Sequence, residues 1–299
     1  MAGSFLFCLQ ETNVNNYVLK YTAPPPEIKV LFLGDLMFDR GIRQFAKKNG
    51  NSFIFEKIHD FLADQDLVIA NLEGPITDNS SISVNSAVGS TNNYLFTFPA
   101  SLAETLFDEN IKVVNLGNNH ILNFGQAGLA STKKYLDQAG VDYFGAPDSP
   151  KSTLKEIKGV KTTFISYNEF SGFGKVEIKS AVEEIKKSKE YSDIIIVFCH
   201  WGAEYQKDDP AMQSSARSFI DSGADLVVGS HPHIILPSEI YNGKRIYYSL
   251  GNFVFDQYFS EETRQGLGVV LKINPKTKEF GFEEKRLYIK SNGQTVLAE

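Results

Sequence analysis

Two regularities of the sequence predict an α/β architecture. A β-branched, mostly apolar run recurs along the chain, and each copy is followed at once by small and polar residues. Between several of these runs lie stretches with helical spacing. Apolar runs of this length read as strands buried on both faces, and strands alternating with helices give an α/β fold.

Taken in order, residues 1–27 are poorly patterned and end in Pro24-Pro25-Pro26, a stiff extended segment. They are read as an N-terminal extension before a single domain over 28–299. Ile28–Leu33 then leads into Gly34-Asp35, and Leu67–Ala70 into Asn71-Leu72-Glu73-Gly74. Ile111–Leu116 leads into Gly117-Asn118-Asn119-His120, and Ile194–Phe198 into Cys199-His200-Trp201-Gly202. Leu226–Val228 leads into Gly229-Ser230-His231-Pro232-His233, and Ile246–Leu250 into Gly251-Asn252-Phe253.

The helical stretches are four. Over 53–64, apolar residues fall at 54, 58, 61 and 62. Residues 125–139 open with Gly125 and stop at Gly140. Residues 178–189 are charged and solvated. Residues 210–222 carry Pro in the first turn and stop at Gly223. From about 244 strands dominate, over 244–255, 266–273 and 280–290, which predicts antiparallel pairing at a sheet edge or in a second sheet. The polar segment 77–93 reads either as a surface insertion or as a mobile lid leaving from Glu73-Gly74.

Composition excludes several functions. The chain has 299 residues, 42% hydrophobic and 22% charged, which is ordinary for a globular protein with a sizeable core. A formal charge of −6 argues against a broad basic surface, so no nucleic-acid partner is expected. Two cysteines, Cys8 and Cys199, exclude a disulfide framework and a Cys-rich zinc module. By alternation Cys199 faces away from His200, into core. The apolar stretch Phe5–Leu9 is too short for a membrane span or a signal-peptide core. The chain therefore reads as soluble and cytoplasmic, or extracytoplasmic if an N-terminal anchor has been removed.

The polar residues that end the strands are Asp35, Glu73, Asn119, His120, His200, His231 and His233. Open α/β sheets place their sites at these carboxyl ends. Four of the chain's five histidines are in the set; His59 is read as a surface or boundary residue. Two carboxylates, an amide oxygen and three imidazoles suit two divalent ions sharing a carboxylate. Such a pair clamps the attacking and leaving oxygens of a phosphoryl displacement. A nitrogen and oxygen set without thiolate favours Mn, Fe, Zn or Co over Cu(I) or Ca. In an extended strand end, His231 and His233 would share a face. Singly, each has a bland reading: Asn119-His120 as a helix cap, His200 as a satisfied core residue, Gly34-Asp35 as chance. Their shared position is what makes a joint metal site the stronger reading.

These motifs resemble the bacterial capsule-synthesis CapA family, the poly-γ-glutamate synthesis proteins, within the calcineurin-like metallophosphatase superfamily. The matching segments are Gly34–Gly41, Ala70–Gly74, Asn118–His120, His200–Tyr205, Gly229–His233, Ser249–Phe253 and 255–266. The resemblance implies a four-layer α/β/β/α sandwich with a dinuclear site at one edge. By that analogy Asp35 and His233 hold one metal, Glu73 bridges, and Asn119, His200 and His231 hold the other. His120 is then the acid that protonates the leaving oxygen. Two departures stand out. Asp35 is followed by Leu36-Met37 rather than by the Asp-x-His of metallophosphatases at large, which leaves one metal a ligand short. Asn123 stands where many members carry Asp, so no charge is brought to His120.

The expected function is a dinuclear metal-dependent phosphoesterase in which metal-bound hydroxide attacks phosphorus. Arg40 contacts a phosphate oxygen or, alternatively, serves as a structural ion pair. A second reading is a non-catalytic accessory protein of capsule assembly that binds polyglutamate through the metals. Expected partners are a phosphorylated or polyanionic substrate and membrane-associated capsule-synthesis machinery.

Overall fold

The computed structural model describes residues 27–172 and 175–298. The extension read over 1–27, with Cys8 and the Phe5–Leu9 stretch, lies outside the described residues except for Glu27.

The elements follow in chain order: β1 (Ile28–Leu36), α1 (Arg40–Asn49), α2 (His59–Ala63), β2 (Leu67–Leu72), α3 (Leu102–Asp108), β3 (Ile111–Asn115), α4 (Gly125–Ala139) and β4 (Asp142–Phe144). Next come β5 (Ser152–Ile157), β6 (Val160–Asn168), α5 (Lys175–Ser188), β7 (Ile194–His200), α6 (Pro210–Ser222) and β8 (Leu226–Ser230). The chain closes with β9 (Ser238–Tyr241), β10 (Lys244–Tyr247), β11 (Asn252–Val254), β12 (Gln265–Ile273), β13 (Phe280–Ile289) and β14 (Thr295–Leu297). One sheet runs β14-β13-β12-β1-β2-β3-β4, with β11 also paired to β1; the other runs β5-β6-β7-β8-β10-β9.

Strand alternation explains the layering. Val30 and Phe32 of β1 point into one core together with Ile69, Phe164, Ile196, Phe198 and Val228, which lies between the two sheets. Leu31 and Leu33 point the other way, into a core shared with Ile42, Leu62, Leu106 and Leu129 of the helices on the first sheet. On the second sheet Ile195, Val197 and Cys199 face Ala181, Ile185, Ala216 and Phe219 of α5 and α6. Three cores separate four layers, α/β/β/α. The buried Cys199 thiol is pushed well up by burial and then by the charge of Glu169, as an inert core group.

Of the strand-rich tail, β12, β13 and β14 pair antiparallel as expected and extend the first sheet from β1. The stretch 244–255 instead divides into β10, parallel to β8 in the second sheet, and β11, parallel to β1 in the first, because each continues a row of parallel strands. The helix expected over 53–64 is broken. Phe55 N–H donates to Ser52 and Ile58 N–H to Phe55, which are i to i+3 bonds, and Ile58 has φ −123°. The segment is a 3₁₀ turn over Asn51–Ile54 followed by the short α2. The segment 77–93 is mostly exposed and is tied down at Thr77, Ser83 and Asn93, which are buried.

Candidate metal centre

The register of the sheets builds the site. Across β11, β1, β2 and β3, Asn252 stands opposite Asp35, Asp35 opposite Asn71, and Asn71 opposite Asn115. Gly34 permits this row, because a Cβ there would collide with the Gly251 carbonyl. In the other sheet, Asn168 and Ser230 flank His200. The carboxyl ends of the parallel strands of both sheets therefore meet at one edge.

Around this edge the structure forms two groups of donors that share one residue. Glu73, His200 and His231 present ligand atoms within 4.8 Å of one another, as do Asp35, Glu73 and His233. Asn119 joins the first group, its Oδ1 lying 2.9 Å from Nε2 of His200. His231 and His233 do not share the face of an extended strand. Their φ values are 96° and 58°, so the chain coils left-handed after β8 and each ring turns to a different group. Such backbone costs roughly 1–3 kcal/mol per residue and survives where surrounding structure fixes it.

The surrounding amides orient these donors. Asp35 Oδ1 accepts from Asn71 Nδ2 at 2.8 Å, and Oδ2 accepts from the His231 amide at 3.1 Å. Burial opposes the Asp35 charge, but His233, Asn71 and the His231 N–H together hold its pKa below the ordinary value. Asn252 Nδ2 donates to the Thr263 carbonyl, so its Oδ1 accepts from Nδ1–H of His233 at 2.9 Å. The free Nε2 then faces Glu73 Oε1 at 3.7 Å. For His200, Nδ1 lies 3.1 Å from both Asn71 Nδ2 and Ser230 Oγ, and Ser230 donates to the Cys199 carbonyl. An Nδ1–H given to Ser230 would free the Nε2 lone pair for a cation held between it and Asn119 Oδ1; without a cation the 2.9 Å contact calls for Nε2–H donating to that oxygen.

Glu73 is the test of whether these residues fit metal. It is fully buried and neither carboxylate oxygen has a hydrogen-bond donor; Nδ1 of the buried His231 has no partner either. A buried unpaired carboxylate costs several kcal/mol. Burial, then the charges of Asp35 and Glu204, push its pKa well up. Burial and neighbouring imidazoles push His200 well down and His231 down to about 3, so both rings are neutral, as ligation requires. Cations placed between the two groups would supply what Glu73 and His231 lack. The donor set fits metal.

His120 lies beside this centre, with Nε2 3.8 Å from Glu73 Oε1 and its ring 4.4 Å from that of Phe96. Asn123 Nδ2 donates to the Tyr94 carbonyl at 2.6 Å and faces His120 Nδ1 at 3.2 Å. A carbonyl only accepts, so the amide nitrogen is fixed there; where Nδ1 accepts from it, the proton of the neutral ring is on Nε2. Burial, then the charge of His233, push the ring's pKa down to about 4.

Arg40 lies against Asp256, its Nε 2.9 Å from Oδ1, with Nη1 donating to Asn93 at 3.3 Å. Phe96 and Phe255 flank the guanidinium at 5.1 and 5.4 Å. The ion pair is thus present, and any phosphate contact must use its two remaining N–H groups. His59 is half exposed and pairs with Glu109, away from this centre.

Residues 29–257 match the family model of the bacterial capsule synthesis protein PGA_cap. The chain belongs to that family. PGA_cap is part of the metallophosphatase-like superfamily, and the two sheets flanked by helices agree with that fold. Among curated relatives, the PGA biosynthesis protein CapA of Bacillus subtilis is 33% identical over 243 residues, covering 76% of this chain and 63% of its own length. The capsule biosynthesis protein CapA of Bacillus anthracis is 27% identical over 251 residues, covering 77% and 60%. The chain thus spans under two thirds of these relatives. A probable polyglutamine synthesis accessory protein of Mycobacterium tuberculosis is 24% identical over 288 residues, covering 78% and 75%. A crystal structure of a hypothetical protein from Thermus thermophilus has TM-score 0.54 at 16% identity, covering 87% and 98%, a likeness of fold. Among the described residues of this PGA_cap chain, no helix is long and apolar enough to cross a membrane.

Three residues of the centre were given no role from sequence: Asn71, Ser230 and Asn252. Each follows an apolar run as the ligands do, which was the available signal. Their task depends on which strand lies beside which, and spacing along the chain does not carry that.

Proposed function

We propose that this PGA_cap chain is a dinuclear metal-dependent phosphoesterase. The observation that carries the reading is Glu73, buried without a donor at the junction of two donor groups. Asp35, Glu73 and His233 would hold one ion; Glu73, Asn119, His200 and His231 the other. Mn, Fe or Zn suits this set of nitrogen and oxygen donors. When bound, such a pair supplies Lewis acidity toward phosphoryl oxygens and lowers the pKa of water.

The chain's own residues do the rest. Asn252 and Ser230 orient His233 and His200, and Asn71 orients Asp35. His120, pinned by Asn123 with its proton on Nε2, donates a hydrogen bond to the leaving oxygen. A ring whose pKa lies near 4 is neutral at physiological pH, so it stabilises charge as a donor rather than delivering the proton of an imidazolium. Phe170, 4.3 Å from the His231 ring, and Tyr205, 6.1 Å from the His233 ring, shield the ligands from water.

A second reading is a metal-holding accessory protein that binds a polyanion without turnover. The name of the mycobacterial relative, an accessory protein of polyglutamine synthesis, favours it. Both readings place the chain beside membrane-associated capsule machinery. Metal analysis of the purified chain, followed by assays on p-nitrophenyl phosphate and bis-p-nitrophenyl phosphate with added Mn²⁺, separates them. The phosphoesterase reading expects turnover that falls roughly 10²–10³-fold in His120→Ala while metal content holds. Metal retained with no turnover across a broad phosphate panel would decide for the accessory role.

A further inference from the structure

Beside the metal centre is a cavity of about 240 Å³ that the reaction chemistry leaves unused. It is smaller than the roughly 300–1,000 Å³ of a whole-ligand pocket, and so has the size of a subsite. Segment 77–93 forms its outer wall through Ser83, Ser86 and Asn93, and Tyr94 continues that wall. Three aromatic side chains line it while substantially exposed: Phe259 at 68%, Tyr94 at 45% and Tyr205 at 38%. One exposed aromatic ring needs no explanation; three on a single small cavity do. Tyr205 and Phe259 meet edge to face at 5.4 Å, and Gln257 Nε2 holds the Tyr205 hydroxyl at 2.9 Å. Tyr205 is therefore held in place before anything binds, with Phe259 against it.

Charge narrows the occupant. Among the described residues, Arg40 is the cavity's sole cation and Asp256 its sole carboxylate, and they are paired with each other. The other polar groups of the lining are amides and hydroxyls. A γ-linked glutamate chain brings a carboxylate on every residue and would find no unpaired cation here. A neutral ring with a flat face and hydrogen-bonding edges finds aromatic faces and amide partners. Position also matters. Tyr205 lies against His233, and Arg40 lies against Phe96, which stacks on His120. The cavity is thus separated from His233 and from His120, beside which the leaving oxygen is proposed to lie, by Tyr205 on one side and by Arg40 and Phe96 on the other.

We propose that this cavity is a subsite for the neutral, ring-bearing alcohol of a phosphate ester, a sugar or a nucleoside, held on Tyr94, Tyr205 and Phe259. The inference rests on the phosphoesterase reading, and its test separates the two. The full chain, treated with EDTA, is titrated with methyl α-D-glucoside, with uridine and with oligo-γ-glutamate, observed by saturation-transfer NMR. Saturable binding of the glucoside or of uridine is expected, and which of them binds identifies the ring. Phe259→Ala and Tyr94→Leu should each weaken it at least about fivefold, the scale of one lost stacking contact. In the metal-loaded chain, KM for the matching ring-bearing phosphate ester should rise in Phe259→Ala while ethyl phosphate hydrolysis stays unchanged. Ring binding that Phe259→Ala weakens, with no turnover of any ester, would keep the subsite and remove the phosphoesterase reading. Ester turnover with no ring binding and no effect of Phe259→Ala on KM would do the reverse. Oligo-γ-glutamate displacing the ring probe, or binding in its place, would overturn the subsite.

Discussion

The side-chain carbonyl of Asn252 lies 2.9 Å from Nδ1 of His233 and can only accept there, because the amide nitrogen is committed to the Thr263 carbonyl. That contact decides which nitrogen of the imidazole faces Glu73. Partners of this kind set the tautomer and orientation of metal-binding histidines.

Asn252→Ala should therefore lower the affinity for Mn²⁺ or Zn²⁺ by roughly 10–100-fold, as measured by calorimetry. The fold should persist with a stability loss of about 1–3 kcal/mol from the unmade Thr263 bond. Unchanged affinity would remove Asn252 from the orientation of His233.

Glu73→Gln should have opposite effects with and without metal. Burial raises the folded-state pKa of Glu73, so its contribution is present below the unfolded value of about 4.3 and is lost as pH rises through the folded one. At pH 8 in EDTA the variant should be more stable than the parent by roughly 1–3 kcal/mol, since the buried charge is gone but the amide's polar atoms stay unmade. With Mn²⁺ added, the parent should become the more stable of the two. Melting curves under the two conditions give the comparison.

Asn123→Asp should reverse the hydrogen bond to His120. The carboxylate accepts, so the imidazole carries a proton on Nδ1, whereas the parent ring is protonated on Nε2. Nitrogen-15 shifts of the His120 ring in the metal-free protein report the tautomer directly. An Nδ1-protonated parent ring would contradict the amide placement that Tyr94 imposes.

His59, 2.8 Å from Glu109, provides a pH effect remote from the centre. The hydrogen bond to Glu109, followed by its charge, raises the folded-state pKa of His59. The contribution is therefore full below the unfolded value of about 6.5 and disappears as pH rises through the folded value. His59 is half exposed, so screening limits the pair to roughly 0.2–1 kcal/mol. His59→Ala should lose more stability at pH 5.5 than at pH 9; an equal loss at both would mean the pair contributes nothing.

The six apolar runs were legible because strands buried on both faces must be apolar throughout, and the polar residues ending them were legible by contrast. Other elements left weaker marks. The hairpin β5–β6 turns at Lys158-Gly159, both at positive φ, but edge strand β5 alternates exposed and half-buried residues, so no continuous apolar run announces it. Helix α1 has its cap in Asp39, whose side chain accepts from the Arg40 amide, yet Gly41 and the basic residues around it hide its short buried face of Ile42 and Ala46. The left-handed turn at His231 and His233 was invisible for a different reason. Nothing in His-Pro-His requires positive φ; the requirement comes from the two donor groups on either side. Tyr205 and Phe259 were missed because they lie more than fifty residues apart and meet only through the sheet.

The doubly covered strands also set how the molecule comes apart. Every residue of β2, β7 and β8 is buried, as is all of β1 except Lys29, so their amides should be the last to exchange with solvent, near the free energy of global unfolding. Asp35 and His200 lie within those strands, and Glu73 and His231 follow at the next residue or so. Asn119 differs: it is exposed, on the loop between β3 and α4. Local opening of that loop would loosen one wall of the centre while Asp35, Glu73 and His233 hold their places. For the metal pair proposed above, the Asn119 side would be the route in and out that does not need the sheets to separate.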